Sequence, residues 1–114
     1  MITIDGLKKL GVNTDEGLSR CMGSEQFYIK LVNMIPDEQG FDKLKAATEA
    51  GDLQAGFEAA HALKGVLGNL SLTKMFDKCS ELTELLRAKT ETDYAPLVDE
   101  LLSMRDELKA LRDN

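Results

Sequence analysis

The chain contains a single histidine, His61, and the residues just after it are the ones whose types and spacing bear on chemistry. Lys64, Gly65 and Gly68 follow at i+3, i+4 and i+7, so on a helix all four occupy one surface stripe. Glycine inside a helix costs about 1 kcal/mol relative to alanine, and a glycine both one turn and two turns beyond a histidine points to close approach by another molecule. The missing side chain at Gly65 leaves the imidazole standing clear and makes room for a bulky tetrahedral group on its outer nitrogen. Lys64, a mobile point charge on the same face, suits the oxygens of such a group. A nucleophilic imidazole, a nearby cation and cleared space together favour phosphoryl chemistry. The plainer alternative is a solvated surface histidine, with Gly68 merely ending the helix before Asn69.

Other chemistries find less support. Cys21 and Cys79 form no CxxC pair, and a chain with this apolar content needs no disulfide framework, so both are expected as buried or partly buried free thiols. A zinc site built from Cys21, Cys79 and His61 would need a further ligand and lacks local spacing, so no metal site is expected. No glycine-rich loop runs into Lys and Ser/Thr, so the chain should not phosphorylate itself from ATP and is not expected to be an enzyme with kinase activity. A hydrolytic or acid–base enzyme would need an orienting carboxylate and a nucleophile in a pocket, and spacing supplies neither. The net charge of −6, from 20 acidic against 14 scattered basic residues, disfavours nucleic acid and anionic membranes as partners. Apolar runs fall far short of the roughly 20 residues that cross a bilayer, and Met1–Gly6 does not read as a secretory signal, so a cytoplasmic location is expected.

The elements that must hold the stripe are helices, in one all-α domain spanning 1–114. A short helical piece is predicted over Asp5–Leu10, ended by Gly11, and another over Thr14–Cys21, with Thr14 as N-cap and Gly23 beyond its end. Ser24 caps the next helix, whose Phe27, Leu31, Met34 and Ile35 form an apolar stripe. Pro36 should bend or break it before helical sequence resumes from Phe41 and stops at Gly51, giving one interrupted arm over Ser24–Ala50. Asp52 caps the site helix, with Leu53, Phe57, Ala60, Leu63, Leu67 and Leu70 as its core face. At about 100° per residue, His61, Gly65 and Gly68 lie more than about 90° from the centre of that face, so His61 should be exposed. Ser71 is expected to cap a further helix with Leu72, Met75, Phe76, Cys79, Leu82, Leu85 and Leu86 inward. Thr90–Asp93 make a polar connection, and a last helix turns Leu97, Leu101, Met104, Leu108 and Leu111 inward. The sum is an antiparallel up-down-up-down four-helix bundle with short extra N-terminal helices.

The stretch Ala60-His61-Ala62-Leu63-Lys64-Gly65-Val66-Leu67-Gly68-Asn69-Leu70 resembles the signature of the histidine-containing phosphotransfer (HPt) domain family, and its setting in a helical bundle agrees. Resemblance extends more weakly to Gly17-Leu18-Ser19-Arg20 with Tyr28 and Leu31, to Ala50-Gly51-Asp52, and to Leu72, Cys79, Leu82 and Arg87. It implies that His61 is the phosphoacceptor, Lys64 its charge partner and Gly65 the clearance. The implied role is a phosphorelay carrier that takes phosphate from a receiver-domain aspartate and passes it to another. Its partners would be response-regulator receiver domains and a hybrid histidine kinase. Mg²⁺ would come with the receiver, and no cofactor would be bound permanently. Docking is expected around His61 and Gly68, bordered by Phe27 and Tyr28, although either aromatic also fits a core position, Phe27 the more readily. Ser71 departs from the family, which often has glycine there; a changed turn is expected, with Asn69 helping to fix it. Met1 and the complete set of arms read as a separate, monomeric protein rather than a module of a larger kinase. The alternative within the same resemblance is an HPt-like adaptor that docks a receiver or kinase without carrying phosphate.

Overall fold

Local start and stop signals set the helices of the computed structural model, which describes residues Met1–Asn114. These are α1 (Ile4–Lys9), α2 (Thr14–Arg20), α3 (Glu25–Met34), α4 (Gly40–Glu49), α5 (Leu53–Asn69), α6 (Thr73–Arg87) and α7 (Ala95–Asp113), with one 3-10 turn at Ile35–Asp37. Side chains of Thr3, Asn13, Ser24 and Asp52 accept the amides that open α1, α2, α3 and α5, at 3.0 to 3.2 Å. Asn13 rather than Thr14 is therefore the cap of α2; Thr14 is the first helical residue and is buried. Pro36 breaks the helix as expected, through the 3-10 turn that contains it, but Ser24–Ala50 is not one interrupted arm: α4 packs on α5 and α7, whereas α3 packs on α2 and the turn.

Five helices end in one kind of turn, with the residue after the cap in the left-handed region: Gly11, Met22, Gly51, Ser71 and Lys89. At the end of α5, the amide of Ser71 donates to the Gly68 carbonyl and that of Leu72 to the Leu67 carbonyl, both at 3.1 Å. Ser71 is therefore not the cap of α6, a place taken by Leu72 with no side-chain bond. At φ +57° Ser71 adopts the conformation that glycine favours, so the turn keeps its shape without the glycine. Asn69 is exposed at the last helical position, and the backbone bonds of its neighbours close the turn. The hydroxyl of Ser71 is buried without a partner. Ser71→Gly is accordingly expected to stabilise the fold by about 1 kcal/mol, since relief of the strained φ and the unpaired hydroxyl outweighs the added freedom of the unfolded chain. A lower urea midpoint in Ser71→Gly than in the parent would refute this account.

The last four helices close into a ring of neighbours, α4 on α5, α5 on α6, α6 on α7 and α7 back on α4. Neighbours run antiparallel: Gly56 and Gly68 of α5 meet Leu86 and Phe76 of α6, while Arg112 and Arg105 of α7 reach Asp37 and Asp42. The other three helices cover the end of the bundle where α5 finishes. Leu111 packs over Gly6, the Asn13 amide donates to the Ser71 carbonyl at 3.1 Å, and the Tyr28 hydroxyl donates to the Leu70 carbonyl at 2.8 Å. One cluster of 22 buried apolar residues runs from Ile2 to Leu108 and ties these helices to the bundle.

The core faces of α5, α6 and α7 follow the helical period. Ala60, Leu63, Leu67 and Leu70 are buried from the site helix, with Leu53 and Phe57 half-buried at its start. Met75, Cys79, Leu82 and Leu86 are buried from α6, while Phe76 and Leu85 are half-buried at the edges. In α7, Leu101 and Leu108 are joined in the core by Val98 and Leu102, which leaves Leu97, Met104 and Leu111 at its margins. In α3 the predicted stripe is split, with Ile35 buried and Leu31 half-buried but its two other members turned outward. Phe27 and Met34 are 50% and 57% exposed, and the buried face is Tyr28, Val32 and Ile35. Cys21 and Cys79 are free and buried, and no helix is long and apolar enough to cross a membrane.

Candidate functional site

The site helix begins where α4 stops. Gly51 turns the chain at φ +72°, and Asp52 then caps α5 through its carboxylate, which accepts the Ala55 amide at 3.1 Å. Small residues let α6 come close on one side: a Cβ at Gly56 would meet Leu86 at 3.2 Å, and the thiol of Cys79 donates to the Ala60 carbonyl at 3.1 Å. These contacts fix the rotation of α5 about its axis. As the periodicity requires, His61 is exposed on the far side from Leu63 and Leu67.

The imidazole is stacked on Phe57, one turn earlier, with ring centroids 5.6 Å apart and planes inclined by 16°. The guanidinium of Arg87 on α6 lies 5.4 Å from the centre of the same Phe57 ring. Neither His61 nor Lys64 forms an ion pair. The Lys64 ammonium instead lies 5.9 Å from the centre of the Phe76 ring, on α6. At Gly65 a Cβ would meet nothing within 4 Å, so the space beyond His61 along the helix is open to solvent. No group of three His, Cys, Asp or Glu side chains is placed to hold a metal ion.

Over residues 37–114, more than half of the chain, the sequence matches the Hpt domain family. The chain belongs to the Hpt domain family. No curated protein and no solved structure is significantly similar to it. The matched segment holds α4 to α7, the four helices of the bundle, and with it His61, Lys64 and Gly65. Hpt domains are phosphocarriers that work with receiver domains in phosphorelays, and membership brings that general role to this one.

Two residues expected at the docking surface of this Hpt domain are engaged by side chains of the chain itself. Tyr28 is fully buried, its ring seated where a Cβ at Gly17 would stand 2.5 Å away, so it belongs to the core. Gly68 leaves no gap for another molecule, because a Cβ there would be 3.1 Å from the Phe76 ring of the same chain, and its carbonyl also accepts from Arg20 at 3.2 Å. Phe27, favoured for the core, is the aromatic that remains exposed. Its stripe continues to Met34, which borders an open groove between α4 and α5 lined by Gly40, Ala59, Ala62, Leu63 and Val66. Phe57, Phe76 and Arg87 are the site neighbours that reading the sequence for its chemistry passes over. Phe57 was available from its i−4 spacing to His61, whereas Phe76 and Arg87 come from α6 and depend on the register of two helices.

Proposed function

We propose that His61 accepts a phosphoryl group from the aspartyl phosphate of one receiver domain and passes it to the aspartate of another, with residues 1–114 acting as one carrier. The observation that carries this reading is an exposed imidazole free of ion pairs, beside an unneutralised Lys64 and the open space at Gly65, in a member of the Hpt domain family. The unprotonated ring nitrogen forms the P–N bond as the P–O bond to the receiver's carboxyl breaks, and the electron pair leaves with the carboxylate. The other ring nitrogen keeps its proton, so the product is an imidazolium bearing a dianionic phosphoryl group, next to the Lys64 ammonium. The receiver supplies the Mg²⁺; this chain supplies a nucleophile held on a rigid helix. The receiver docks across the groove between α4 and α5 and the exposed Phe27 and Met34, whose apolar surface is otherwise open to water.

Labelled phosphate offered by a panel of phosphorylated receiver domains should appear on the wild type, labile to acid and stable to base. It should be lost to background in His61→Gln. An unlabelled wild type, with receivers that do donate to another Hpt domain, would sink the carrier reading and leave a docking adaptor.

A further inference from the structure

Lys64 has to keep its charge near His61 without having it cancelled. A lysine side chain on a helix surface samples many rotamers, so a useful cation needs a restraint. A carboxylate would supply one, but it would occupy the ammonium donors and compete with the phosphoryl oxygens, and Lys64 has no such partner. An aromatic face does the same work differently. Its quadrupole attracts the ammonium while leaving charge and N–H donors available to a third group. The ring within reach is Phe76, 5.9 Å from the ammonium.

Phe76 is itself seated. It projects from α6 across the edge of α5, where Gly68 presents bare backbone; a Cβ there would stand 3.1 Å from two atoms of the ring. Lys64 and Gly68 are one turn apart, so one ring rests on the second and holds the first. This accounts for a glycine that has no open space in front of it, unlike Gly65.

We propose that Phe76, seated on Gly68, is a positioning residue that holds the Lys64 ammonium ready for the phosphoryl oxygens on His61. The inference rests on the reading of His61 as phosphoacceptor, and the two are separable by experiment.

The seat is tested in the unphosphorylated protein by NMR of the Lys64 side chain. Ring-current shifts of its ε-protons should be present in the wild type and Phe76→Tyr, and lost in Phe76→Leu; ε-protons that do not move between wild type and Phe76→Leu would overturn it. The function is tested by transfer from a phosphorylated receiver. Phe76→Leu should lower the maximal rate about two- to fivefold, the range of a partly exposed cation–π contact, without changing the half-saturating receiver concentration. Phe76→Tyr should restore the rate, Gly68→Ala should mimic Phe76→Leu, and Phe76→Leu should have no further effect in a Lys64→Met background. A wild-type rate in Phe76→Leu, or the same loss with and without Lys64, would overturn the positioning role. Failure of the wild type to accept phosphate at all would count against His61 and remove the task assigned to Lys64, whatever the ring-current result.

Discussion

Gly65→Leu is expected to melt a few degrees higher than the wild type and to transfer phosphate at least about a hundredfold more slowly. The two effects have opposite signs because they arise on opposite sides of one backbone position. Toward the protein there is nothing to disturb, since a Cβ at Gly65 finds no atom within 4 Å. Replacing a helical glycine with a good helix former stabilises by about 1 kcal/mol, which moves the midpoint of a chain this size by roughly 4 °C. Toward the partner, the new side chain stands one turn from His61, in the volume through which a receiver's phosphorylated carboxyl must approach. Displacing reacting atoms by about 1 Å is enough for a hundredfold loss. Gly65→Ala should show the same gain in stability with a smaller loss of rate. Thermal melts and single-turnover transfer from a phosphorylated receiver check both halves. Transfer by Gly65→Leu at the wild-type rate would mean that the receiver does not approach over this face.

How much of this was written in the sequence depends on whether a feature is local. The caps at Ser24 and Asp52, the stops at Gly11 and Gly51 and the break at Pro36 are short-range chemistry, and each lies where the residue types require. The stripe of His61, Lys64 and Gly65 needs only the helical period, so it too could be found. Choosing the inward face of α3 was harder, because Ile35 continues at helical spacing both the predicted Phe27, Leu31 and Met34 and the Tyr28 and Val32 that are in fact buried with it. The choice is made by partners from distant sequence. Tyr28 finds a glycine at 17 to lie against and the Leu70 carbonyl to receive its hydroxyl, an arrangement that no reading of α3 alone contains. Ser71 misled for a related reason. Serine is a good N-cap, but here the α5–α6 turn demands a left-handed residue at that position, and the turn prevails over the residue's preference.

The aromatic setting of the site is non-local in the same sense. Phe76 and Arg87 look like one core residue and one surface residue of α6 until α6 is laid antiparallel on α5. Gly56 and Ala60 set that register by admitting Leu86 and Cys79 at close range. The small residues that look least informative thus decide which α6 side chains reach His61 and Lys64.

The same close packing makes the fold sensitive to alkali. The Cys79 thiol is fully buried against α5, and burial pushes its pKa from 9.0 up to about 12, with the Lys64 charge pulling weakly the other way. The Tyr28 phenol is also fully buried, and burial, with a contribution from Cys21, pushes it from 10.0 up to about 12. In both cases the folded state holds the proton more tightly than the unfolded chain. The associated stability is fully present below pH 9 for the thiol and below pH 10 for the phenol, and it is lost as the pH rises to about 12. At about 1.4 kcal/mol for each pH unit between folded and unfolded values, the pair removes several kcal/mol, a large part of the roughly 5–15 kcal/mol that holds a small domain together. The urea midpoint should therefore fall steeply as the pH rises above 9. Cys79→Ala and Tyr28→Phe each lose about 1 kcal/mol near neutral pH, from a small cavity in the first and an unpaired Leu70 carbonyl in the second. Each should nevertheless show a shallower alkaline decline than the wild type, and the double variant the shallowest. A double variant whose midpoint falls as steeply as the wild type's would place the alkaline sensitivity elsewhere, in the loss of lysine charge at the surface rather than in buried thiol and phenol protons.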